Sequence, residues 1–233
     1  MSAEKAAHLE EKEFDTWNEE QFKVFNAIDR DSHPNALIRH HTNKRIRLIL
    51  KLLNAQDSDT ILDLGCGSGQ ILKRIGRGKI TAIDLSDTAV HAAKELAKHE
   101  PHIVNVVKGN AENTGFKNNT FDKVICADVI EHVQHPENLI KEAYRITKPG
   151  GTVIFAVPNE DTGDFAVSVI NILKKIGFRK QFAATDSERH WHLHHTNLNF
   201  FKKRNSGLFR IVRVERSPHY FFPITHIIKC RKR

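Results

Sequence analysis

Two acids and three glycines carry the first chemical signal in the chain. An apolar run, Ile61-Leu62, leads into Asp63-Leu64-Gly65-Cys66-Gly67-Ser68-Gly69. Glycines at alternate positions make a tight turn, because glycine accepts positive φ and lets a ligand approach the backbone closely. A second apolar run, Ile80 to Ile83, ends in Asp84, about twenty residues after Asp63, where an acid can accept hydrogen bonds from both hydroxyls of a ribose. The turn and the acid read together as a nucleoside site. The second signal is a group of histidines: His132 beside Glu131, and His190, His192, His194 and His195 around Trp191. An imidazole that titrates near neutrality can relieve an oxygen nucleophile of its proton. Each of these histidines also has a plain reading as a surface or structural residue.

The glycine spacing decides which nucleoside is expected. A dinucleotide fingerprint, G-x-G-x-x-G, seats a pyrophosphate on a helix N-terminus, whereas this chain has G-x-G-x-G with an acid two residues before the first glycine. That pattern resembles motif I of the class I S-adenosylmethionine-dependent methyltransferases. Gly109-Asn110-Ala111-Glu112 is similar to the family's Gly-Asp-Ala-Glu segment, with Asn in place of the usual Asp, and 121–159 looks like its motifs around strands four and five. The resemblance implies S-adenosyl-L-methionine as cofactor, bound by Asp63, Gly65, Cys66, Gly67, Gly69, Asp84, Leu85, Asn110, Ala111, Glu112, Ala127 and Asp128. Asp63 and the glycines would hold the methionine part, Asp84 the ribose and Asn110 the adenine, whose exocyclic amine its side-chain carbonyl can accept from. Asn110 is also a common turn residue.

On the acceptor side the same resemblance puts His132 and Glu131 in catalytic positions and makes Trp191, His192 and His194 acceptor-binding candidates. Asp128-x-x-Glu131-His132 is similar to the Glu-x-x-Glu-His segment of the ubiquinone-biosynthesis O-methyltransferases, some of which use a divalent ion there. Asp stands at the first position here, and no metal is expected. The Asn-Pro-Pro-Tyr type of motif is absent after strand four, which argues against methylation of base amines.

These residues need a scaffold that brings them together. From Phe14 to Leu53 the apolar positions fall at helical spacing, interrupted at Ser32-His33-Pro34-Asn35, and predict two or three helices. Residues 1–55 form an N-terminal helical segment that either caps an acceptor site or packs on the sheet; 56–233 form the methyltransferase-like domain. Arg39, His40, His41, Lys44, Arg45 and Arg47 make a basic stripe expected on the solvent side. Ser86-Asp87 caps a helix reaching about His99. Strands are expected at 105–108, 121–127 and 152–157, with Lys148-Pro149-Gly150-Gly151 as a turn before the last, and a helix from Pro136 to Thr147. Alternation of strands and helices implies a parallel sheet with right-handed crossovers. The fold class is α/β, Rossmann-like; 209–215 and 224–231 read as the last two strands, which the resemblance makes strands six and seven of a mostly parallel sheet, the final one antiparallel. Residues 165–178 read as an apolar helix with a basic end, suited to the core or to peripheral contact with anionic lipid through 165–180. Thr196 to Ser206 reads as a basic helix stopped by Gly207.

Composition bounds the alternatives. At 233 residues with 39% apolar content, one domain with a sizeable core is expected. No apolar run reaches bilayer length, and the acidic N-terminus lacks a signal h-region. Three isolated cysteines, at 66, 126 and 230, form no zinc or disulfide framework, so a reducing cytoplasm is expected. The net charge of +8 hides a gradient: residues 171–233 carry 15 basic and 3 acidic side chains, which suits an anionic partner or a solvated face. The expected function is methyl transfer to a small-molecule acceptor, at oxygen, on a quinone precursor, lipid or glycoside. The alternatives are an RNA or protein methyltransferase using the basic C-terminal region, and a catalytically silent cofactor-binding partner protein. Neither acceptor identity nor oligomeric state is legible.

Overall fold

Buried strands with side chains on both faces need two apolar layers, and the sequence supplies them by alternation. A computed structural model describes residues 6–26, 36–162, 191–218 and 223–233. Helices α1 (Glu11–Asn26) and α2 (Ala36–Leu53) precede β1 (Thr60–Leu64), the short α3 (Leu72–Ile75) and β2 (Lys79–Asp84). Next come α4 (Asp87–Ala97), β3 (Ile103–Lys108), β4 (Phe121–Ala127), α5 (Pro136–Ile146) and β5 (Thr147–Pro158). The chain closes with α6 (Leu198–Asn205), β6 (Phe209–Pro218) and β7 (Pro223–Lys232). The seven strands form one sheet in the order β3-β2-β1-β4-β5-β7-β6. Pairs among the first five are parallel, and β7 runs antiparallel to both β5 and β6.

Within each strand, parity decides the layer. Leu62, Val124, Cys126, Val153, Phe155 and Val157 point to one face, where α5 contributes Leu139, Ile140 and Ala143. Ile61, Ile125, Ile154 and Ala156 point to the other, against Ile46, Ile49 and Leu53 of α2. Phe155 is the clearest anchor of the first layer, its ring centroid 4.8 Å from that of Phe201 and 5.9 Å from that of Phe209. Removing such a side chain costs about 3–5 kcal/mol.

The expected elements are present, with differences at their ends. β5 begins at Thr147 rather than Thr152, since Thr147 pairs with Phe121 before the register shifts to Lys123↔Thr152. The Lys148–Gly151 segment is thus an irregularity within the strand. Gly150 takes φ 72°, and Lys148 reaches Asp122 at 2.8 Å, so the extra residues are held against β4 instead of looping away. The basic helix after the histidines runs from Leu198 to Asn205, with Asn197 accepting from the Phe200 N–H as its cap. The expected helix at 165–178, and with it the lipid-facing reading of 165–180, lies outside the described residues. No helix among the described residues is long and apolar enough to cross a membrane. The three cysteines are free and buried.

Candidate active site

In a parallel sheet wound in two directions, ligands bind beyond the strand C-termini where the order reverses. Here the reversal lies between β1, which leads outward to β2 and β3, and β4, which leads to β5. The glycine turn occupies that point. Gly65, Gly67 and Gly69 take φ of 79°, 52° and 83°, and the Gly65 and Cys66 N–H groups donate to the Ile83 carbonyl at 2.9 and 3.0 Å. The Gly67 N–H donates to Asp84 Oδ2 at 2.8 Å, and the Ser86 N–H to Asp84 Oδ1 at 3.0 Å. A Cβ built on Gly67 would meet only the Phe22 ring, at 3.8 Å. The turn therefore opens on a space roofed by α1.

Asp63 sits under that space. It is 1% exposed, and its Oδ2 has no hydrogen-bond partner among the described residues. Burial, reinforced by the nearby Asp84 charge, pushes its carboxyl up to about 8. A buried acid with an unused oxygen is expensive unless a ligand donates to it.

Arg45 corrects an expectation. Placed with the solvent-facing basic stripe, it is instead 7% exposed, lines the cavity with His41 and Thr42, and ion-pairs with Asp128. The reason is helical phase: Thr42, Arg45, Ile46, Ile49, Leu52 and Leu53 are buried on α2, and their spacing of three and four places Arg45 on the sheet-facing stripe. That periodicity was the signal that could have found it. Asp128 takes φ 56°, a left-handed conformation uncommon for a residue with a side chain, which turns the chain sharply after β4.

The adenine-side candidates form a braced corner. Asn110 Oδ1 accepts from the Glu112 N–H at 2.8 Å, the turn role open to it, and its residue also lines the cavity with Ala111 and Glu112. Glu112 Oε1 accepts from the Gln134 and His135 N–H groups at 2.9 and 3.2 Å, and burial outweighs these bonds to raise its carboxyl.

The histidine segment crosses to meet the chain after β4. The Leu193 N–H donates to the Glu131 carbonyl at 2.7 Å. The His132 ring stacks on Trp191 with centroids 4.1 Å apart, and its Nδ1 lies 3.3 Å from the Trp191 carbonyl. His192 faces His132 edge-on at 5.0 Å and places Nδ1 2.5 Å from Glu160 Oε1. Glu131, His132 and His192 each bring one ligand atom within 4.8 Å of the others, a spacing suited to sharing a proton or a cation. His194 is not among the cavity-lining residues; its Nε2 lies 2.9 Å from the Val133 carbonyl. Gly69 also lies outside the lining, while Asp63, Gly65, Cys66, Gly67, Asp84, Leu85, Ala127, Asp128, Glu131, His132, Trp191 and His192 share one cavity of ≈ 590 Å³. Glu160 and the α1 side chains Phe14, Asn18 and Phe22 line it too; no sequence motif marks them.

A doubly wound seven-stranded sheet with a glycine turn, an acid ending β2 and a roofed cavity at its switch point matches a Rossmann-like, class I methyltransferase fold. Residues 62–155 match the family model described as "Methyltransferase domain". Among curated relatives, the ubiquinone biosynthesis O-methyltransferase of Xanthomonas oryzae pv. oryzae is 32% identical over 117 residues, covering 47% of this chain and 47% of that protein. The protein of the same name from Colwellia psychrerythraea is 29% identical over 113 residues, 47% of this chain and 46% of that one. The chain thus matches these relatives over about half their length. Among solved structures, magnesium protoporphyrin IX methyltransferase from Synechocystis with bound SAH superposes with a TM-score of 0.65 at 17% identity, covering 94% of this chain and 97% of that one.

Proposed function

We propose that the chain binds S-adenosylmethionine in this cavity and transfers its methyl group to a small-molecule acceptor, at oxygen. The observation carrying the reading is that a buried acid and a nearly buried guanidinium line one cavity beneath the glycine turn. Asp63 offers a buried oxygen without a partner among the described residues, suited to an ammonium. Arg45 brings a nearly buried guanidinium to the same cavity, suited to a carboxylate. An amino-acid tail carries both groups.

Asp84 reads the ribose hydroxyls, and the corner at Asn110 to Glu112 takes the adenine. When bound, the sulfonium supplies an electrophilic methyl group. The chain's share of the reaction is to align the acceptor oxygen with it and to exclude water. Phe14, Phe22 and Trp191 close that part of the cavity with aromatic surface, and Glu131 and His132 stand on the acceptor side. The curated relatives named for O-methylation support oxygen as the acceptor atom; a quinone precursor, lipid or glycoside remains the acceptor class.

The test is methyl transfer from labelled S-adenosylmethionine into fractionated cell extract. Label in the organic-extractable or small-molecule fraction is expected. Label confined to RNA or protein would overturn the small-molecule reading and turn attention to the basic C-terminal residues.

A further inference from the structure

We propose that Glu160 and His192 form the proton-accepting dyad of the acceptor half of the cavity, with His192 as base and Glu160 as its positioning residue. The inference rests on the methyl-transfer reading above and goes beyond it in assigning the proton. Glu160 lies just past β5 and is fixed twice to the strand of chain that carries the histidines. Its N–H donates to the Thr196 carbonyl at 3.0 Å, and its Oε2 accepts from the Thr196 N–H at 3.1 Å. The remaining oxygen, Oε1, meets His192 Nδ1 at 2.5 Å. An ionised carboxylate only accepts, so Nδ1 carries the hydrogen and the lone pair stands on Nε2. Both side chains are largely enclosed, at 20% and 12% exposure, and both line the cavity.

His132 is placed for a different task. Its Nδ1 faces the Trp191 carbonyl at 3.3 Å, and its Nε2 lies 3.8 Å from Glu131 Oε1. Both ring nitrogens face protein oxygens, and the ring is stacked on Trp191 as part of the wall. The groups that face His192 are thus Glu160 from beyond β5, and Glu131 and His132 from the chain after β4.

The step balances without a co-reactant beyond the sulfonium donor. The acceptor O–H bond breaks and its proton passes to His192 Nε2. An oxygen electron pair forms the new bond to the methyl carbon as the carbon–sulfur bond breaks, and the pair of that broken bond stays on sulfur as a neutral thioether. The imidazolium is balanced by Glu160 and returns its proton to water when product leaves.

The experiment combines three readouts on wild type, His192→Gln and Glu160→Gln. S-adenosylhomocysteine titration tests the underlying reading: equal affinity in all three is expected, and a wild type that does not bind overturns methyl transfer and the dyad with it. Transfer of label from S-adenosylmethionine into an organic extract of cells is expected to fall about 10²–10⁴-fold in His192→Gln near neutral pH. The loss should shrink as pH rises and the acceptor ionises unaided, while Glu160→Gln moves the midpoint of the pH profile downward. Wild-type rate and pH profile in His192→Gln, with binding intact, would overturn the proposal. Loss of transfer on EDTA treatment, restored by Mg²⁺, would also overturn it by making His192 a cation ligand. Nitrogen-15 spectra of histidine-labelled protein with S-adenosylhomocysteine decide the matter without turnover: the Nδ1–H tautomer at His192 is expected, and the Nε2–H tautomer would overturn it.

Discussion

Gly67 donates its backbone N–H to Oδ2 of Asp84 at 2.8 Å, so the glycine turn after β1 and the acid ending β2 are one unit. The Ser86 N–H holds the other carboxylate oxygen, and the carboxylate is aimed before any ligand arrives. Asp84→Ala should therefore weaken S-adenosylhomocysteine binding by roughly 1.5–3 kcal/mol, the range for hydrogen bonds to charged groups, as read by calorimetry. Unchanged affinity in a folded variant would place the ribose elsewhere.

Asp63 should make both binding and stability depend on pH. Burial, then the charge of Asp84, raises its carboxyl from 3.8 to about 8, so it is protonated at neutral pH in the ligand-free protein. An arriving ammonium favours the carboxylate, and binding at pH 7 should release up to about one proton. Calorimetry in buffers of different ionisation enthalpy reads that number; a slope near zero would mean that Asp63 meets no cation. In the ligand-free protein the sign is that of a raised acid. The stabilising contribution is whole below about pH 3.8 and is lost as pH rises toward about 8. Asp63→Asn should flatten thermal stability across that window.

The sheet and the cavity lining at the glycine turn and Asp84 were legible because their signals are local. Strands buried on both faces read as unbroken apolar runs, such as Val153 to Val157, and the ligand-facing residues follow directly at their ends. The acceptor half depends on approaches between distant segments. Trp191 reaches His132 across 59 residues, and nothing near Glu160 in sequence announces His192, 32 residues on. Arg45 was hidden differently: it belongs to a run of basic residues whose composition says solvent, while helical phase turns this one inward. Composition and periodicity disagreed, and periodicity prevailed because the apolar side chains around it must pack on the sheet.

The Arg45–Asp128 pair joins α2 to the turn after β4. Arg45→Ala should lower stability by about 1–3 kcal/mol, since a mostly buried carboxylate loses a charged partner, and should weaken S-adenosylhomocysteine binding further than it lowers stability. Asp128 carries a second, separable cost in its φ of 56°. Asp128→Gly should be about 1 kcal/mol more stable than Asp128→Ala, because glycine adopts that conformation without strain. Equal denaturant midpoints for the two variants would remove backbone strain from the account.

Glu19 fastens the roof of the cavity. Its Oε2 accepts from the Ser86 hydroxyl at 2.6 Å and its Oε1 from the Thr88 hydroxyl at 2.5 Å, tying α1 to the start of α4 beside Asp84. Burial alone would raise this carboxyl, but the bonds from Ser86 and Thr88 outweigh it and bring the value from 4.5 down to about 2. For a depressed acid the stabilisation is present above about pH 4.5 and is lost as pH falls through about 2. Glu19→Gln should lose less stability than wild type across that acid window, measured by circular dichroism melts. At neutral pH the same substitution should leave the sheet intact while exposing α1 to faster limited proteolysis. S-adenosylhomocysteine should also dissociate faster, because Phe14, Asn18 and Phe22 reach the cavity only from that helix. Wild-type proteolysis and dissociation rates in the variant would mean that α1 is held by its apolar contacts through Phe14 and Trp17, not by the carboxylate.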